Sequence, residues 1–332
     1  MDNSNNNYND NFTENLHQSQ KERVRQTEKG TNQQSSTTHH SMHLDKETTT
    51  VKKRSQWGMV WARFKRNKMA MAGMMLILLL IIIAFIASYI TPFNYADQQL
   101  QYRLNSPNST FWFGTDHLGR CIFTRIIYGS RVSLLIGLLS IGIATFIGGL
   151  LGAVAGYYGG HFDTATMRFM DILLAIPGIL LAIAIINVLG VGLVNLMIAV
   201  AIGAIPVEAR VIRASVMTVR DQEFVEAAKA VGTSDLRIIF KHILPNAMAQ
   251  IIVQSTLGVA GAILAAAGLS FIGLGIQPPA PEWGSMLAEG RLNMRDHWHV
   301  TIFPGAAIMI TILALNLLGD GLRDALDPKQ KK

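Results

Sequence analysis

Residues 172–207 read ILLAIPGILLAIAIINVLGVGLVNLMIAVAIGAIPV, 36 positions without one charged side chain. A helix needs about 20 residues to cross the hydrocarbon of a bilayer. The stretch is too long for a single crossing, and Gly190-Val191-Gly192 supplies a turn in its middle, so it reads as two helices. An unpaired backbone group in lipid costs several kcal/mol, which makes helix the stable form of such a run. The short alternating segments of a β-barrel are not visible.

Outward from this stretch, four more uncharged runs cover Met69–Ala96, Val132–Gly160, Ala247–Pro281 and Val300–Gly319. The expected fold is therefore all-α, a polytopic membrane protein with six transmembrane helices. Half of the 332 residues are hydrophobic and only 15% are charged, too apolar for an average soluble domain. The expected order is a polar tail at 1–50, a basic juxtamembrane segment at 51–68, a first span at 69–90 and an extracytoplasmic segment at 91–130. A core with five spans follows at 131–319, with a cytoplasmic loop at 220–245, and the chain ends in a cytoplasmic segment at 320–332. The tail is rich in Asn, Gln, Ser, Thr and His and cannot bury enough surface to offset ordering entropy, so disorder is expected there. It reads as no cleavable secretory signal, and the first span is expected to remain as an anchor.

Six spans put both termini on one side. The segments on that side hold eighteen Lys and Arg from residue 51 onward, against six on the other side, so both termini are expected in the cytoplasm. This asymmetry accounts for most of the net charge of +7 without a nucleic-acid partner. Residues 51–68, with seven basic and no acidic side chains, suit anionic lipid head groups. The lone Cys121 excludes an internal disulfide, and no cysteine pattern for zinc or iron–sulfur occurs.

Gly148, Gly152, Gly156 and Gly160 recur every four residues, which allows close helix approach or a glycine-lined path. Pro177 and Pro206 each free a backbone carbonyl and permit a kink. None of the expected spans carries an ionisable side chain in its interior, which argues against a proton relay, an ion-coupling carboxylate or a voltage sensor. No Gly-Lys pair occurs, so there is no phosphate-cradling loop; the chain is not expected to be an enzyme, and no catalytic residue or metal ligand is assigned.

The distinctive hydrophilic stretch runs from Glu226-Ala227-Ala228 through Gly232 to His242-Ile243-Leu244-Pro245. It reads as helix, turn, helix. Residues 221–231 are good helix formers, Gly232 can end a helix at positive φ, Thr233 or Ser234 can cap the next, and Pro245 marks a break before span five. Val225, Ala228 and Val231 or Gly232 share one face, with Glu226 and Lys229 toward water. Taken alone, this is an amphipathic connector.

Its spacing closely resembles the "EAA" loop of importer permeases in the ATP-binding-cassette superfamily: Glu-Ala-Ala, three residues, Gly, nine residues, an apolar residue, any residue, then Leu-Pro. The one departure is His242 at the apolar position, as in the peptide and nickel branch. A second segment, Gly114-Thr115-Asp116-His117-Leu118-Gly119-Arg120-Cys121-Ile122-Phe123-Thr124-Arg125, resembles the outer-loop motif of C-type permeases for dipeptides, oligopeptides and nickel. Cys121 and Thr124 stand where that motif has Asp and Ser. Asp116, Arg120 and Arg125 remain, as ordinary ion pairs or as substrate contacts. Further matches are Met170–Pro177, Gly268–Gly275 with Pro278-Pro279, and Gly319–Asp324, so the resemblance covers about residues 57–328.

The resemblance implies a type I importer permease of a bacterial inner membrane, pairing with a homologous permease, two ATPase subunits and an extracytoplasmic substrate-binding protein. Peptides are the implied substrate, with nickel or a metal chelate as the alternative. No cofactor is expected on this chain; ATP and Mg would bind the ATPases. Glu226, Ala227, Ala228, Gly232, His242, Leu244 and Pro245 are the implied ATPase-coupling residues. His297 and His299 flank Trp298 in the last outer loop as a weak metal candidate, and Glu282-Trp283-Gly284 is a candidate receptor contact. From another class, an autonomous channel or secondary transporter would work without ATPase partners.

Overall fold

The computed structural model describes residues 56–326; the tail at 1–50, residues 51–55 and residues 327–332 lie outside them. Within the described residues the chain is helical, apart from loops and one isolated backbone bridge between Thr115 and Cys121. The principal helices are α1 (Gln56–Arg66), α2 (Lys68–Phe85), α3 (Ile122–Tyr158), α4 (Gly160–Ala175) and α5 (Gly178–Leu189), then α6 (Leu193–Arg220), α7 (Glu223–Ala230), α8 (Leu244–Phe271), α9 (Trp283–Gly290) and α10 (His299–Leu326). Among the described residues, five helices are long and apolar enough to cross a membrane, α8 being extended back to Asp235; α4 and α5 make a sixth span when taken together. The all-α, six-span expectation holds in that form.

The third span is broken rather than kinked: α4 and α5 meet at 88°. Ile176 is extended at φ −87°, ψ 124°, as the ring of the following Pro177 requires, and Pro177 then starts α5. Pro206 has the opposite outcome, because α6 runs through it without interruption. Between α5 and α6, Gly190 and Gly192 take φ of +86° and +156°.

The second span starts at Ile122, inside the segment expected to be a loop over 91–130. The arginines that suggested a loop are accommodated in the helix. Arg131 donates to the carbonyls of Ala84 and Phe85, the latter at 2.9 Å, and so satisfies the C-terminus of α2. Arg125 is buried among carboxylates described below.

α3 and α6 form the central seam, and the glycine stripe sets their distance. A Cβ on Gly148 would lie 2.7 Å from the Ile205 carbonyl and one on Gly156 would lie 2.9 Å from that of Arg213, while Gly152 abuts the backbone of Ala209. The stripe is a packing surface along these three residues; Gly160 faces open space. α8 closes the bundle, with Ile263 and Val259 packed beside Gly137 of α3. α2 rests against α10 through Gly73 and Ala70, leaving Met75, Leu78, Leu79 and Phe85 exposed, as suits a lipid-facing helix.

The expectation that no span carries an ionisable side chain in its interior is overturned. The uncharged run ended at Val207, but α6 continues to Arg220, so Glu208 lies inside a spanning helix and is 1% exposed. Helix length, not the end of the apolar run, decides which residues are interior.

Candidate functional site

After α6 the chain folds back. Val225 and Ala228 of α7 are buried in a cluster with Ile212, Val216 and Val219 of α6 and with Ile238, Ile239 and Ile243. Glu226 and Ala227 are exposed. The helical pattern placed Val231 or Gly232 on the buried face, but α7 ends at Ala230 and Val231 is 80% exposed. Gly232, at φ +75°, closes the helix: its N–H donates to the Lys229 carbonyl at 2.9 Å, and the Thr233 N–H to that of Ala228 at 3.1 Å. These are the paired bonds of a Schellman cap.

Ser234 precedes a short turn at Asp235–Arg237, which enters a π-helical segment at Ile238–Ile243 and then α8. No break occurs at Pro245, contrary to the sequence reading; it lies in the first turn of α8. In a regular helix its ring would strike the carbonyl of Lys241 and its missing N–H would leave that carbonyl unpaired. The wider π turn just before it shifts the hydrogen-bond register and lets the helix continue. His242 and Leu244 are half-buried, while Pro245 is exposed.

This segment is pinned to the bundle, and several of its large apolar side chains are exposed. The Tyr157 hydroxyl donates to Asp235 at 2.7 Å, the Lys229 ammonium sits 5.3 Å from the Tyr157 ring centroid, and Arg220 donates to the Gly156 carbonyl at 2.8 Å. Leu236 is 65% and Phe240 54% exposed, and Val231 and Phe224 are exposed as well. An apolar surface held this firmly can receive another protein without reorganising.

At the opposite end, residues 114–125 form a closed knot. Gly114 and Gly119 both take positive φ, and a side chain on Gly119 would collide with the backbone of Gln99. Thr115 donates through its hydroxyl to the Tyr102 carbonyl and accepts from the Asn105 N–H at 2.9 Å. The Asp116 carboxylate accepts from the N–H groups of Leu118 and Arg120 at 2.8 and 2.9 Å. It also meets Arg120 at 2.6 Å and Arg125 at 3.3 Å. Glu289 of α9 completes the set, 2.5 Å from Arg120 and 3.3 Å from Arg125. Two carboxylates thus balance two guanidiniums whose side chains are each 1% exposed. Of the two readings of Asp116, Arg120 and Arg125, the geometry fits ion pairs. Sequence reasoning missed Glu289; the signal was an arithmetic one, since two buried arginines need a second acid.

Asp116, His117 and Glu289 bring ligand atoms within 4.8 Å of one another, but both carboxylates already hold arginines, and a cation there would face two guanidiniums. The His297 and His299 rings stand at 86° with centroids 5.9 Å apart, and His299 is buried against the Thr115 carbonyl at 3.3 Å. The candidate receptor contact is also interior: Glu282, Trp283 and Gly284 are buried. Glu282 caps α9, accepting from Gly284 and Ser285 at 2.8 and 2.7 Å, and Trp283 donates to the Ile126 carbonyl at 3.0 Å. Burial pushes the Glu282 carboxyl above its ordinary value, against the pull of those two amides.

Residues 148–332 match the family described as "Binding-protein-dependent transport system inner membrane component", and residues 55–107 match the N-terminal TM domain of oligopeptide transport permease C. The dipeptide transport system permease protein DppC of Alkalihalophilus pseudofirmus is 48% identical over 277 residues, 83% of this chain and 91% of that protein. The glutathione transport system permease protein GsiD of Pectobacterium atrosepticum is 48% identical over 280 residues, 84% and 93% respectively. Among solved structures, a chain of the inward-facing MetNI methionine ABC transporter shares the fold, with a TM-score of 0.52 at 18% identity, covering 61% of this chain and 96% of that one. The chain therefore belongs to the binding-protein-dependent inner membrane components, as a polytopic permease subunit of an ATP-binding-cassette importer.

Proposed function

We propose that this permease carries short peptides, and that its exposed segment at 221–245 is the surface through which ATPase subunits drive it. Peptide cargo is favoured by the two relatives, which are named for dipeptide and glutathione transport. The partners are a homologous permease, two ATPases that bind ATP and Mg, and a binding protein that delivers substrate. The distribution of basic residues supports a cytoplasmic position for both termini and for the 221–245 segment.

The observation that carries this reading is the exposure of the large apolar side chains of Val231, Leu236 and Phe240 in a segment whose Val225 and Ala228 are locked in the core. Glu226, Ala227 and Gly232 are on its accessible side, and His242, Leu244 and Pro245 lead it into α8. Docking there converts nucleotide-driven movement of the ATPases into movement of α8.

The test is Gly232→Val. The β-branched residue resists φ of +75° and displaces Val231 from its exposed position. The variant should insert into membranes and pair with the second permease, yet lose co-purifying ATPase and ATP-dependent dipeptide uptake. Normal uptake with ATPase still bound refutes the docking role.

A further inference from the structure

We propose that Glu208 is an anionic subsite of the transport cavity and receives the positively charged amino terminus of the peptide, an inference that rests on the peptide reading above. A cavity of about 380 Å³ opens between α5, α6 and α8, within the range of ligand pockets of about 300–1,000 Å³. Its walls are small or apolar, including Ile179, Ala199, Gly203, Gly261 and Leu264, with Glu208 and Gln254 as its polar members.

The placement of the carboxylate is specific. Its Oε2 accepts from the Thr145 hydroxyl at 3.2 Å, and Thr145 is in turn 2.9 Å from the Ser255 hydroxyl, which fixes the side chain. Its Oε1 lies toward Gly258 of α8, where a Cβ would sit only 3.3 Å away. Glu208 lines the cavity but is only 1% exposed, and a side chain at position 258 would crowd its carboxylate.

No cation on this chain pairs with Glu208 among the described residues. The next two arginines of α6 are engaged elsewhere, Arg210 with Asp171 and Arg213 with Asp163, each at 2.5 Å. A buried carboxylate without a counter-ion is costly in a spanning helix, and such groups face cavities and mark substrate paths. A metal ion is a poor fit, since hard cations take six or more oxygen ligands and the remaining wall is hydrocarbon. An ammonium on an organic body satisfies both features: the charge meets Glu208, the Gln254 carbonyl can accept a second N–H, and the apolar wall accepts varied side chains. One charged anchor at a terminus that every linear peptide shares holds cargo without reading its sequence.

The experiment uses the assembled transporter without its binding protein, so that receptor preferences do not enter, and measures binding of trialanine and N-acetyl-trialanine. The wild type should bind the free amine at least tenfold more tightly. Glu208→Gln should bind the two forms alike, while Glu208→Asp should keep most of the difference. Equal binding by the wild type, or an unchanged preference in Glu208→Gln, overturns the subsite. Failure of Glu208→Gln to assemble also overturns it, because the charge would then serve a contact between subunits. Trialanine uptake by the complete system separates the two readings: uptake with equal binding sinks the subsite alone, and no uptake of trialanine or of dipeptides sinks both.

Discussion

The two ends of the bundle solve opposite problems. At the 114–125 end, four charged side chains are drawn inside and neutralise one another; at the 221–245 end, large apolar side chains are left outside. Both arrangements invert the usual distribution of polar and apolar groups. The first keeps its unusual groups paired, so it acts as a fastener between α3, α9 and the loop before them. The second leaves them unpaired, which makes sense for a surface that a partner completes. Glycines at positive φ occur in both, but Gly119 is walled in by Gln99 while Gly232 has open space around it.

The largest effect should come from breaking the fastener. Arg120→Ala strands Asp116 and Glu289 with one arginine between them, and removing one partner from a buried pair costs about 3–5 kcal/mol. Thermal unfolding of the solubilised transporter should show the loss, and an unchanged midpoint would remove the distinction between the two ends. The paired glycines sharpen it. Gly119→Ala adds a collision with Gln99 to the left-handed backbone and should cost more than the ~1–2 kcal/mol of conformation alone, whereas Gly232→Ala should cost only that ~1–2 kcal/mol. Equal losses in the same unfolding assay would mean that surroundings do not matter. Leu236→Ser should shift stability least, within about 0.5 kcal/mol, since its side chain is exposed. ATPase recovery with the purified permease should nonetheless fall, and full recovery would leave the exposed apolar side chains without a purpose.

Much of this fold is legible in the sequence because lipid imposes a blunt rule on apolar length. The spans, the turn at Gly190-Val191-Gly192 and the positive φ of Gly232 all follow from single residues or uncharged runs. What stayed hidden depended on partners distant in sequence. Arg125 and Arg131 look like loop residues until Asp116, Glu289 and the end of α2 receive them. Glu208 looks like the first residue beyond a span until α6 is seen to continue past it. Pro177 announced a bend but not one of 88°, because the angle is set by how α5 packs on α6. In the candidate site, helical periodicity found Val225 and Ala228 but misplaced Val231, where the helix had already ended.

The continuity of the chain from Asp235 to Phe271 has a mechanical consequence. Leu236 at one extreme and Leu264 on the cavity wall are about 40 Å apart along one helix at 1.5 Å per residue. A rod of that length is a lever: a small tilt at the exposed tip sweeps the far arm sideways and alters the width of the chamber it borders. If an ATPase drives the exposed tip as proposed, the π turn at Ile238–Ile243, where the hydrogen-bond register changes, is where this lever would bend.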